Sequence, residues 1–230
     1  MSKSLETELV SEIRKSLGLP EKSEVNESYV TQAKKYNLPT EFLSQKSKSA
    51  RQGDLEKHVE ALNDVSARLD VASRDDADKY SSEFRRLKID EVHNLNAAFF
   101  RALHFENISD LRSQITMDSM SFIRIERDFG TFDEWQKDFI ACAMASRSGY
   151  VITGYSMFLQ RYMNFIIDTE ALHVPVGVYP VIVLDVAEGA YYRDYLDDRK
   201  TYVTAMMKEL NWARIEERFK KAEKISKVLK

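Results

Sequence analysis

The segment VIVLDVAEGAYYRDY, residues 181–195, carries the clearest chemical signal in the chain. An apolar, β-branched run ends on Asp185, and a carboxylate delivered at the end of a strand suits a hard or borderline metal ion. Four residues on the chain holds Gly189, which offers no second donor there. The four histidines, His58, His93, His104 and His173, do not make good the loss. His93 and His104 share a helical stretch but are far apart in it, about 16 Å along a continuous helix axis, and His173 sits in a turn beside Pro175. They read as surface or hydrogen-bonded histidines.

Other catalytic constellations are missing. There is no glycine-rich phosphate loop, no HExxH and no nucleophile-and-base arrangement. The single cysteine, Cys142, lies in the apolar helix IACAMA and reads as packing. One cysteine also excludes an internal disulfide framework and a cysteine-rich zinc site, as suits a reducing compartment. With 230 residues, 43% hydrophobic and 31% charged, the chain can bury a substantial core. Its formal charge of -3 and pI near 5.9 give no global basic field for nucleic acid, although residues 218–230 are locally cationic. No apolar run approaches the length of about 20 residues that spans a bilayer, so no membrane role is expected. The opening MSKSLETELVSEIRK carries Glu6, Glu8 and Glu12, unlike an acid-poor transit peptide or an apolar signal sequence.

These residues must be positioned by helices in the first half and a mixed second half. Leu5, Leu9, Ile13 and Leu17 predict an amphipathic helix stopped by Gly18 and Pro20. A Lys- and Ser-rich stretch, Ser44 to Gly53, then separates it from two helical patterns. One covers residues 54–72 through Leu55, Val59, Leu62, Val65 and Leu69, and the other covers 76–105; together they predict an antiparallel hairpin. Thr131 and Glu134 in GTFDEW have the spacing of a reciprocal helix cap, opening a helix that runs to about Arg147. Three β-rich segments follow, 150–155, 162–169 and 179–186, and predict a small antiparallel sheet. Helices return over 190–196, 200–210 and from 213 onward. The expected organisation is an N-terminal extension over 1–25, a helical hairpin domain over 26–106 and a C-terminal domain over 107–230, an α+β architecture.

At this point several motifs converge. FGTFDEWQKDF, SGYV, VIVLDVAEGAYYRDYLDDRKTYV and LNWARIEERF, in this order and spacing, resemble the C-terminal domain of the iron/manganese superoxide dismutases; HNLNAAFFRAL and NLPTEFLS resemble the helices upstream. The resemblance implies the fold of that family, and a redox metal held by three histidines and one aspartate. The family pattern DVWEHAYY reads DVAEGAYY here, which keeps Asp185, puts Gly189 at a histidine ligand and puts Ala187 at a tryptophan lining the metal pocket. The histidine of the second helix falls on Asn96, and that of the first on Ala50 or Arg51. The tyrosine of the substrate funnel corresponds to His58. Asp185 is then expected to pair with a polar residue such as Asn96 or with a buried water, since an unpaired buried carboxylate is costly.

The resemblance further implies a subunit interface that keeps Glu188 and Tyr192, with Arg199 in the adjoining scaffold. With these ligand positions altered, the expectation is a non-catalytic protein without a cofactor. Its expected role is that of a structural subunit pairing with itself or a dismutase-like partner in a large assembly, the mitochondrial small ribosomal subunit first, with RNA contact through the basic tail. A structural protein of another particle, such as a virion, is one alternative. An active dismutase with an unusual ligand set is the other.

Overall fold

The structure, a computed structural model, describes residues 30–109 and 113–228. The helix expected over residues 5–17 lies outside them. Two long helices come first, α1 over Gln45–Val71 and α2 over Glu83–Asn107. They run antiparallel, because contacts climb one helix as they descend the other: Arg68 reaches Glu83, while His58 Nδ1 lies 2.9 Å from Asn94 Oδ1.

Ser47, Arg51, Leu55, Val59, Leu62, Val65, Ser66 and Leu69 form the buried stripe of α1, spaced mostly by three or four residues, which keeps one helix face inward. The Lys- and Ser-rich stretch from Ser44 is therefore no separator. It is the opening of α1, where Ser44 Oγ accepts the Ser47 N–H at 3.2 Å and satisfies one of the donors a helix start leaves open. Helix α2 begins later than residue 76, behind Ser82, whose hydroxyl caps it by accepting from Arg85 N–H at 3.3 Å.

The second half opens with α3, Met120–Phe129, a helix that sequence periodicity did not single out. Helix α4, Phe132–Ala145, starts where the capping spacing predicts, with Thr131 Oγ1 accepting from Glu134 N–H at 3.1 Å. Strands β1 (Tyr150–Ser156), β2 (Arg161–Ile167) and β3 (Val178–Asp185) form an antiparallel sheet in the order β2-β1-β3. Helices α5 (Glu188–Tyr195), α6 (Arg199–Lys208) and α7 (Trp212–Val228) complete the described chain. Helices followed by a small antiparallel sheet and more helices make the α+β fold expected from the sequence.

Each face of the sheet has its own core. On one, Val151, Ile182 and Leu184 join Trp135, Phe139, Tyr202, Met206 and Phe219; on the other, Tyr150, Ile152 and Val183 meet Phe100 of α2. Full burial of each large apolar side chain contributes roughly 1.5–3 kcal/mol. The alternation along β3 is broken once. Pairing shifts by one residue between Thr153 and Gly154, so Gly154 opposes Pro180 while Thr153 opposes Ile182, the signature of a bulge at Val181. Val181 and Ile182 consequently share the first core, and every later residue of β3 changes face. Asp185 thereby lies opposite Tyr150, on the face turned to α2. The glycine on β1 is required at this point: a Cβ on Gly154 would stand 2.4 Å from Val178 Cγ1.

Candidate functional site

Asp185 is fully buried at the end of β3 and is held at each of its polar groups. The Tyr202 hydroxyl of α6 donates to its carbonyl oxygen at 2.7 Å, and its own N–H donates to His104 Nδ1 of α2 at 3.4 Å. Carboxylate oxygen Oδ1 accepts the Ala187 N–H at 3.1 Å, and Oδ2 accepts from Nη2 of Arg51. Arg51 Nη1 donates to Asp54 Oδ2 at 3.2 Å, closer to solvent. A fixed cation from the first helix therefore sits directly on the buried carboxylate.

The electrostatics follow from that pair. Burial alone would push the Asp185 carboxyl up, but Arg51, Arg101 and His104 together hold it below the usual carboxylate range. Arg51 is moved above its ordinary value in turn, because the attraction of Asp185 outweighs its own burial. Burial pushes His104 down to about 4 despite Asp185 nearby, so its imidazole is neutral at pH 7. Burial also raises the Tyr150 hydroxyl, which finds no hydrogen-bond partner among the described residues; the same holds for Nε and Nη1 of Arg101.

The residues singled out from the sequence are placed as follows. Asn96 does not pair with Asp185, which corrects that expectation; its amide donates to the Glu170 carbonyl at 2.8 Å. The buried carboxylate already has a guanidinium, a stronger partner than an amide. Ala50 is half-buried beside Arg51, and Ala187 precedes the first turn of α5. Gly189 faces Arg51: a Cβ there would stand 3.0 Å from Nη1. Glu188 and Tyr192, with Gly189 and Arg193, line a shallow surface depression. Arg199 directs its donors into its own chain, to the carbonyls of Ser146 and Arg147 and to the Tyr191 hydroxyl.

The other histidines lie elsewhere, His58 edge-on to His93 at 5.7 Å and His173 against Asp168 at 3.2 Å. Cys142 is half-buried against the main core. Among the described residues no three His, Cys, Asp or Glu side chains gather as a metal site requires. The donors around Asp185 do not fit a centre of three imidazoles and one carboxylate, since the one imidazole beside it already accepts from the backbone. Sequence reasoning left Arg51 without a role. The signal was present, because the stripe Leu55, Val59, Leu62, stepped back one turn, lands on Arg51.

Residues 119–218 match the C-terminal domain of iron/manganese superoxide dismutases. An iron superoxide dismutase of Aquifex pyrophilus is 32% identical over 176 residues, which cover 75% of this chain and 82% of the relative. That of Cupriavidus metallidurans is 32% identical over 169 residues, covering 73% and 81%. A manganese superoxide dismutase of Halobacterium salinarum is 29% identical over 133 residues, covering 58% and 66%. These relatives carry the names of superoxide dismutases. They overturn the expectation of a non-catalytic structural subunit, together with its ribosomal and mitochondrial setting, for which none of these relatives speaks. By the length and level of the match, the chain belongs to the iron/manganese superoxide dismutase family.

Proposed function

We propose that this protein is a superoxide dismutase, converting two superoxide anions and two protons to dioxygen and hydrogen peroxide, with a donor set that differs from the three-histidine pattern. The observation that carries this reading is the identity of about one third to iron superoxide dismutases along three quarters of the chain. Asp185 supports it, a carboxylate that the fold buries completely at the expected place, on a strand end and beneath a helix start. In this family iron or manganese would supply the electron transfer. The residues around Asp185 do not fit the familiar centre. What the chain itself supplies is a buried carboxylate, a neutral imidazole at its backbone and a fixed guanidinium charge.

The test is superoxide consumption by the purified full chain supplied with iron or manganese, with metal content measured on the same sample. Consumption well above the spontaneous rate, lost in Asp185→Asn, is the expected result. A folded protein that takes superoxide no faster than buffer with either metal overturns the reading.

A further inference from the structure

Three of the elements that meet at Asp185 compete for the space beside its carboxylate. Arg51 comes from α1, Asp185 from β3 and Gly189 from α5. One guanidinium nitrogen holds the carboxylate, and the other stands 3.0 Å from where a Cβ at position 189 would be. A side chain at 189 would press on the guanidinium, which would have to give way by a few tenths of an ångström. A metal ion on Oδ2 would meet the same group, with like charge added to the steric conflict. The Arg51 side chain is only 10% exposed and is also tied to Asp54. A guanidinium does not lose its proton in a protein, so its charge is permanent. We propose that Arg51 is the resident cation of this site, competing with any metal ion for Asp185 and holding the carboxylate in the folded protein.

This does not rest on the dismutase reading, and it stands against a metal ion held at Asp185. The readouts are folding and metal content. Thermal unfolding of the native full chain is followed with and without a chelator, and iron(II) or manganese(II) is added and then dialysed away. The melting temperature is expected to be insensitive to the chelator, and the dialysed protein to hold well below one metal per chain. Arg51→Met is expected to lower the melting temperature by roughly 10 °C, the scale for orphaning a buried charge. Asp185→Asn added to it is expected to recover part of that loss.

Gly189→His is expected to destabilise the native background and to be tolerated with Arg51→Ala. A melting temperature that falls on chelation overturns the proposal, as does stoichiometric metal that Asp185→Asn removes. So does a histidine accommodated at 189 with Arg51 in place. Should Arg51→Met fail to fold, the chelation and dialysis measurements on the native protein still decide. Absence of superoxide turnover in a metal-free, chelator-insensitive protein would sink the dismutase reading and leave this one standing; turnover with metal lost at Asp185→Asn would do the reverse.

Discussion

Arg51 and Arg218 are both nearly buried and both touch a carboxylate, yet the two pairs are built in opposite senses. Arg218, on α7, donates Nη1 to the Asn107 side chain and the Val181 carbonyl, and Nη2 to the Leu103 carbonyl at 3.1 Å and Glu106 at 2.9 Å. Its acid, Glu106, keeps 29% of its side chain in solvent. Burial is the leading influence there, and Arg218 is held below its ordinary value. At the other pair the acid is the buried member, and Arg51 lies above its ordinary value because Asp185 outweighs burial. Arg218 is a tie between backbone segments in which the acid is an accessory. Arg51 is the guanidinium that pairs directly with the interior charge of Asp185.

The largest expected difference is between the two truncations. Arg51→Met should cost about 4 kcal/mol, the scale for an uncompensated buried charge. Arg218→Met should cost about 2 kcal/mol, the scale for orphaned neutral acceptors. Urea unfolding of both variants checks this, and equal losses would erase the contrast. Acid response comes next. His104 titrates near 4 in the fold against 6.5 for an ordinary histidine, so between those values the unfolded chain binds more protons. Stability should fall by roughly 3 kcal/mol as the pH drops through that window, and should be fully present above it. His104→Asn should remove the larger part of this slope in unfolding curves taken across the window, whereas Arg218→Met should leave it intact. The smallest effect belongs to Glu106→Gln, within about 1 kcal/mol because the carboxylate is partly solvated. A larger loss there would mean the two pairs are alike after all.

The elements around the site were legible to the degree that their signals are local. Thr131 and Glu134 announce α4 because a cap is made between near neighbours, and the β-branched run ending in Asp185 announces a buried strand. The opening of α1 was hidden, since Lys and Ser between Ser44 and Gly53 look like a linker while its buried face uses Ser47 and Arg51 in place of apolar residues. The partner of Asp185 was hidden for a different reason. Arg51 is 134 residues away in sequence, and only the packed fold shows that α1 delivers it, rather than α2 delivering Asn96. The altered ligand positions suggested that the chemistry had gone, an expectation overturned by the match to named dismutases along three quarters of the chain.

The bulge at Val181 has a consequence for how this site can change over time. A substitution at Asp185, Arg51 or Gly189 alters one side chain and leaves the others aimed as before. Loss of a single residue in β3 would preserve the composition of the strand and most of its pairing, yet restore unbroken alternation and carry the carboxylate to the opposite core. It would then stand among Trp135, Tyr202 and Phe219, with its guanidinium on the wrong side of the sheet. For this site the number of residues between Pro180 and Asp185 matters more than their identity.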